Sequence, residues 1–173
     1  MAITRWRLAP SATLNFVSYP YSHSLVMLVV WSALFALAYR VIKGWRPNAM
    51  AAVATLVFSH FILDFVSHRP DLPLTLTGSS RVGLGLWNYP VATLAVEVTL
   101  FAVGIALYAI VTRARDRVGR IALWALIAFL SAIYFAAVFG PPPPSASAVA
   151  MAGHLSWLFV LWAYWVDRHR VAQ

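Results

Sequence analysis

The sequence contains no cysteine in its 173 residues. Disulfide bonds, thiolate nucleophiles and thiolate metal ligands are therefore excluded together, although this absence says nothing about the compartment. Charged residues are also scarce, because Asp, Glu, Lys and Arg make up only 10% of the chain. Ordinary soluble domains contain about 25% charged residues, so the composition argues against a soluble globular protein.

Apolar residues dominate what is present. They make up 62% of the chain, its mean hydropathy is +0.77, and long runs without charge recur along it. Such runs are typical of transmembrane helices. We therefore predict an all-α fold, a polytopic membrane helix bundle that occupies one domain over residues 1–173 in a lipid bilayer. After an interfacial lead-in over residues 1–20, about five spans are expected at about 22–41, 48–67, 90–111, 121–139 and 146–165.

The formal net charge of +8 comes from basic residues that cluster in the connections between the apolar runs. Such clusters set the topology of a membrane protein, so this charge does not indicate nucleic-acid binding. Five spans place nine basic residues on one side, namely Arg40, Lys43, Arg46, Arg113, Arg115, Arg117, Arg120, Arg168 and Arg170. The other side has four, namely Arg5, Arg7, Arg69 and Arg81. The positive-inside rule therefore predicts a cytoplasmic C-terminus and an N-terminus on the outer side.

Three ionisable residues, His60, Asp64 and His68, interrupt the end of the second predicted span. On an α-helix each four-residue step rotates the side chain by roughly 40°, so the three groups form one stripe about two turns long. Ionisable groups inside a span are costly and mark a functional site or an internal pairing site. The rest of the chain can be placed relative to this stripe.

Three further ionisable residues lie in other predicted spans. His23 lies at the outer end of the first span, and His154 lies in the fifth. Glu97 lies roughly 10 residues into the third span, ~15 Å deep and near the bilayer midplane. With the predicted topology, all of these groups lie in the outer half of the membrane or near its middle. This coincidence favours one shared site.

Imidazole nitrogens and carboxylate oxygens suit a divalent metal such as Zn²⁺, Mn²⁺ or Fe²⁺. Two groups at i and i+4 on a helix can bind one ion, and a third group from another span completes a site with an open position. Such an ion would lower the pKa of bound water to about 7 and supply a hydrolytic nucleophile. We predict His23, His60 and Asp64 as ligands, with His68 next. Glu97 is predicted as a general base, or as a further ligand if its span packs against the second span.

The same residues have structural interpretations that the sequence leaves open. A lone histidine in a span, as in the fifth one, usually hydrogen-bonds to a neighbouring helix. Asp64 can pair with Arg69 or His60, and His68 can be an interfacial polar residue. Glu97 can be a protonated, hydrogen-bonded structural acid. Because ionisable groups inside a membrane are rare and costly, His60 with Asp64 favours a functional site most strongly.

Two short segments carry a resemblance to a known family. Tyr21–Leu25 at the start of one span and His60–Asp64 at the end of the next resemble the LexA-binding, inner-membrane-associated family of metal-dependent hydrolases. Its members are small polytopic proteins with a Thr/Ser-His-Ser segment and a His-x-x-x-Asp segment. The resemblance implies that the metal ligands are His23, His60 and Asp64.

The resemblance covers roughly residues 19–90. Residues 68–73 and 83–88 look like those of a bacterial subgroup, which implies a bacterial inner membrane. Members of the family usually begin with one or two further helices that carry an acidic, metal-associated segment. Here about twenty residues precede the Ser-His-Ser segment, and they contain no Asp or Glu. Either the chain is a shortened member or it has lost part of the site, a departure that bears on catalysis more than on metal binding.

Three functions of different classes are consistent with this sequence. The first is a metal-dependent membrane hydrolase that acts near the outer leaflet on an ester or phosphoester. The second is a non-catalytic accessory subunit of a larger complex with partner membrane subunits, which the small size and abundant aromatic residues favour. The third is a proton or ion carrier that uses Glu97 and the histidines as a relay. The inner halves of the predicted spans contain no acidic or histidine residue, which argues against a continuous path.

Overall fold

The computed structural model describes residues 19–141 and 143–173 of the chain. Within them, five helical spans are long and apolar enough to cross a membrane, which confirms the predicted all-α bundle of five transmembrane helices. The chain is therefore a multi-pass membrane protein. The spans are α2 (Leu25–Lys43), α3 (Pro47–Ser67), α4 (Pro90–Val111), α5 (Arg117–Phe139), and the pair α6 (Ala146–Leu155) and α7 (Trp157–Arg168). Of the lead-in predicted over residues 1–20, all but Tyr19 and Pro20 lie outside the described residues.

The first span begins at Leu25 rather than near residue 22, because Ser24 has an extended backbone with φ −75° and ψ 146°. Ser24 caps α2, and its Oγ accepts a hydrogen bond from the backbone N–H of Met27 at 3.3 Å. The residues before it form a separate helical turn, α1 (Pro20–His23). His23 therefore ends α1 and precedes the first transmembrane helix.

The single domain predicted over residues 1–173 stays a prediction, and the chain divides into two compact units. The described part of the first unit is residues 19–93. In it, α2 and α3 are joined by a tight turn and pack along each other as a helical hairpin. The turn contains Gly44, whose φ of 78° suits a residue without a side chain. A small core forms between these helices around Leu28 and Phe61.

The long connection between the second and third spans folds back as a loop onto the helical hairpin. It contains two short antiparallel strands, β1 (Leu72–Pro73) and β2 (Arg81–Val82). The backbone N–H of Leu84 donates a hydrogen bond to the carbonyl oxygen of Phe65 at 2.7 Å, which attaches the loop to the end of α3. Leu72 is fully buried in the core of this unit. The loop is therefore part of the packed structure of the first unit.

The described part of the second unit begins at Leu94 and contains most of α4, with α5, α6 and α7. Its core lies where α5 packs on α7. The buried core residues are Ala122, Leu123, Leu126 and Val166. The end of α4 continues into β3 (Thr112–Ala114), which pairs antiparallel with β4 (Arg170–Ala172) after α7. This pairing joins two connections that lie far apart in the sequence.

We predict that Leu72→Ala destabilises the first unit, because Leu72 is 0% exposed and contacts the core of the helical hairpin. Loss of a buried leucine side chain lowers the free energy of unfolding by ~2–5 kcal/mol. Leu76→Ala in the same loop is the matched control, since Leu76 is 39% exposed. Thermal unfolding of the purified protein in detergent measures both. Equal effects of the two substitutions would contradict the burial of the loop.

A second prediction concerns Asp116, which precedes α5. Hydrogen bonds from His169 Nδ1 at 2.7 Å and from the N–H of Gly119 at 2.9 Å hold the pKa of Asp116 below its ordinary 3.8. A carboxyl with a depressed folded-state pKa stabilises the fold above the unfolded pKa. That stability is lost as the pH falls through the folded value.

Asp116→Asn keeps a helix cap but removes the charge, so it should lower the Tm at neutral pH. The difference in Tm from wild type should shrink as the pH falls below 3.8. Thermal unfolding at several pH values between about 7 and about 3 measures it. A difference that stays constant over this range would show that the carboxylate charge is not the cause.

Candidate metal centre

The first unit brings together four of the residues that the sequence singles out. His60 and Asp64 lie one turn apart near the end of α3, and His68 is the residue that terminates this helix. His23 comes from α1. His60 Nε2 lies 3.1 Å from Asp64 Oδ2, and His23 Nε2 lies 3.7 Å from the same oxygen. One ligand atom each from His23, His60 and Asp64 lies within 4.8 Å of the others.

Asp64 is the most buried of these three side chains. Its side chain is 14% exposed, whereas that of His60 is 48% exposed. Asp64 Oδ2 is buried and accepts no hydrogen bond from a described residue, although the Nε2 atoms of His23 and His60 lie nearby. A buried carboxylate oxygen without a donor is costly. A cation held between the carboxylate and the two imidazoles would remove that cost.

The donor set and its spacing fit a divalent metal ion. Donor atoms bound to one tetrahedral ion at ~2.1 Å lie ~3.4 Å apart. The distances of 3.1 Å and 3.7 Å from Asp64 Oδ2 to the two histidines bracket this separation. Two imidazoles and one carboxylate leave a fourth position open, as in catalytic zinc sites, and also suit Mn²⁺ or Fe²⁺. The residues His23, His60 and Asp64 can therefore hold a metal ion.

His68 occupies a different place in the cluster. Its Nε2 lies 4.0 Å from the other oxygen of Asp64, Oδ1, and its Nδ1 lies 3.2 Å from Asp71 Oδ1. The His68 ring also packs against Trp87, with centroids 4.6 Å apart. At 4.0 Å His68 makes no hydrogen bond to Asp64, so it can act on that carboxylate only through electrostatic attraction. That His68 is itself a metal ligand stays a prediction.

The structure adds neighbours that sequence reasoning missed. Ser22 Oγ lies 2.7 Å from His23 Nδ1 and shares a hydrogen bond with it. The Tyr19 ring meets the His23 ring edge-on, with centroids 5.0 Å apart. The Tyr19 hydroxyl donates to the carbonyl oxygen of Asp71 at 3.4 Å. Ser22 is adjacent to His23 in the sequence, so its contact with that histidine could have been predicted from this position. The contact of Tyr19 with Asp71 could not, because it depends on how the loop folds.

Burial shapes the protonation of the groups outside the spans. It lowers the pKa of His23 below its ordinary 6.5, and the nearby His60 and His68 lower it further against the opposing attraction of Asp64. Burial and the neighbouring Asp71 raise the pKa of Tyr19 to about 12. A neutral imidazole at His23 is the form that binds a metal ion.

Glu97 and His154 both lie in the second unit. Glu97 is on α4, and its Oε2 accepts a hydrogen bond from the hydroxyl of Tyr134 on α5 at 2.6 Å. The pair lines a largely apolar groove of about 530 Å³ between these two helices. His154 is exposed on α6. The predicted role of Glu97 as general base stays a prediction.

The five spans and the His/His/Asp group define the class, which is a multi-pass membrane protein with a candidate metal centre in its first unit. No protein-family profile, curated protein or solved structure matches the chain.

We predict that Gly83→Ala disrupts the loop beside the centre. Gly83 has φ 152°, and a Cβ there would collide with the carbonyl oxygens of His68 and Arg69. Alanine at such a position should cost more than ~1 kcal/mol of unfolding free energy. Gly104→Ala is the control, because nothing lies within 4 Å of a Cβ on that helix. Thermal unfolding measures both, and an unchanged Tm for Gly83→Ala would contradict the close approach.

Proposed function

We propose that His23, His60 and Asp64 bind one divalent cation, Zn²⁺ or Mn²⁺, and that the protein is a metal-dependent hydrolase of the membrane. The observation that carries this proposal is Asp64 Oδ2. This buried oxygen accepts no hydrogen bond from a described residue, yet it lies 3.1 Å and 3.7 Å from imidazole nitrogens of two different helices. The likeness to the LexA-binding, inner-membrane-associated hydrolases supports the same three ligands.

The residues of the centre have separate tasks in this proposal. Asp64 and the two histidines hold the ion, and His68 attracts the other oxygen of the carboxylate from 4.0 Å. When bound, such an ion acts as a Lewis acid and lowers the pKa of a coordinated water to about 7. His60 is about half exposed, so an ester or phosphoester group can reach the open side of the centre.

The distribution of basic residues along the chain supports a location of the metal centre near the outer face of the membrane. If the five spans cross the bilayer in alternating directions, nine of the thirteen basic residues fall on one side, which favours a cytoplasmic C-terminus and an outer N-terminus. In this topology the end of α3 and the start of α2 face outward. The centre would then lie near the outer face of a bacterial inner membrane.

The first test is the metal content of the tag-free protein in detergent, measured by inductively coupled plasma mass spectrometry. We expect about one ion per chain in wild type, and its loss in His60→Ala and Asp64→Asn, because each variant removes one of three ligands. His154→Ala is the matched control, since it removes an exposed histidine of the other unit. Retention of the ion by His60→Ala and Asp64→Asn would refute the centre.

Substitutions at His68 and Glu97 distinguish metal binding from hydrolysis. His68→Ala should weaken metal affinity by ~10–100-fold without abolishing binding, as expected of a group that acts on a ligand without binding the ion. Glu97→Gln should keep the ion and lose hydrolysis if Glu97 is the general base.

Turnover of chromogenic ester and phosphodiester substrates by the metal-loaded wild type tests the reaction itself. Bound metal without any turnover would overturn the hydrolase assignment. It would favour the alternative of a non-catalytic subunit that co-purifies with a fixed membrane partner.

A further inference from the structure

Arginines from two distant parts of the chain converge at one end of the second unit. One segment links α4 to α5, and the other follows α7. The antiparallel pairing of β3 with β4 holds these two segments together. We call the exposed side chains here the arginine patch, which consists of Arg113, Arg115, Arg117, Arg120 and Arg168. Four of these arginines lie in one segment, and the strand pairing adds Arg168 to them from the end of α7.

Arg170 holds the two segments in register. Its Nε donates to Thr112 Oγ1 at 2.9 Å, and its Nη2 donates to the carbonyl oxygen of Thr112 at 2.9 Å. Its Nη1 donates to the carbonyl oxygen of Gly119 at 3.2 Å. A Cβ at Gly119 would collide with the backbone of His169, so the glycine permits the close approach. Arg170 is therefore a structural residue. Of the exposed arginines around it, Arg168 lies over the ring of Tyr164, with its guanidinium carbon 5.8 Å from the ring centroid.

The acidic residues near the arginine patch are engaged elsewhere. Asp116 is hydrogen-bonded by His169 and by the N–H of Gly119, and Asp167 accepts a hydrogen bond from Tyr108. In the described part of the chain, no arginine lies within 4.0 Å of a carboxylate oxygen. The first turn of α5 also lacks an acidic residue. The two nearby carboxylates, Asp116 and Asp167, thus form no ion pair with the five arginines of the patch and are outnumbered by them.

We propose that the arginine patch binds the headgroups of anionic phospholipids. The patch lies where α4 and α7 end and α5 begins, which is the depth of lipid phosphates for helices that span a bilayer. Guanidinium groups match phosphate oxygens bidentately, and basic clusters between helix ends are suited to anionic lipids. Five arginines in one patch exceed the three basic residues at the end of α2 and in the turn before α3, which are Arg40, Lys43 and Arg46.

Lipid titration of the full chain in a nonionic detergent, followed by native mass spectrometry, tests the proposal. The lipids are phosphatidylglycerol and phosphatidylcholine with identical acyl chains. We expect wild type to prefer phosphatidylglycerol by at least ~10-fold, since each arginine near an anionic surface contributes roughly a 5-fold change in affinity. Arg113→Gln/Arg115→Gln/Arg117→Gln should lose this preference.

Arg40→Gln/Lys43→Gln/Arg46→Gln is the matched control. It removes the same number of charges from the first unit and should keep the preference within about 2-fold. If the two triple variants lose it equally, binding depends on net charge and the proposed patch is refuted. The patch is also refuted if wild type itself shows no preference. Arg115→Gln alone, with an expected loss of about 5-fold, serves if the triple variant does not insert.

Competition with free glycerol phosphate distinguishes the binding of a lipid headgroup from the binding of a soluble anion. We expect it to compete poorly with phosphatidylglycerol, because the lipid is held at the membrane surface by its chains. Equal competition by the soluble anion would overturn the assignment to lipid. Raising the salt concentration from about 0.05 M to about 0.5 M should reduce the preference, since salt screens exposed charges. A preference that ignores salt would contradict the proposed contacts.

Discussion

The carboxylate of Asp64 is the group on which the candidate metal centre depends. One of its oxygens faces His60 and His23, and the other faces His68. A carboxylate at the end of a membrane helix is costly unless positive charge or hydrogen bonds compensate it. Without Asp64, the three imidazoles would have no common acceptor, and no divalent ion would have an anionic ligand among them. Its burial is therefore the constraint that shapes the surrounding segments.

The connections between the helices, rather than the helices themselves, position the functional groups. Helix ends leave backbone groups without intrahelical partners, and a membrane offers little water to satisfy them. In the first unit, the loop that contains β1 and β2 covers the end of α3 beside the histidines, through hydrogen bonds from Leu84 and Gly85. In the second unit, β3 with β4 covers the end of α4 and assembles the arginine patch. Each unit thus combines a helical framework with one short strand pairing that brings ionisable side chains together.

Local rules account for most of what could be predicted. The thickness of a bilayer sets the length of a span, so apolar runs alone locate α2 to α5 and the fifth span within a few residues. The helical period places His60 one turn from Asp64, as the structure has it. The start of the first span differs because Ser24 has an extended backbone and makes α1 a separate turn. Cap geometry of this kind depends on neighbouring segments that a single window of sequence does not describe.

Contacts between distant segments could not be predicted in this way. Tyr19 reaches Asp71 across 52 positions of sequence, and Arg170 reaches Thr112 across 58. Asp71, Tyr19 and Trp87 surround the histidines only because the loop after α3 folds back and buries Leu72. Hydropathy reports whether a segment is apolar, but it does not report which backbone groups will pair across a loop.

The sequence by itself determined the class of protein, the number of its spans and the spacing of His60 and Asp64, because bilayer thickness and helix geometry act on contiguous residues. Only the tertiary structure decided that α1 carries His23 to Asp64 and that β4 places Val171 opposite Arg113. These two associations depend on hydrogen bonds and burial between segments far apart in the chain. Such interactions have no local period from which they could be inferred.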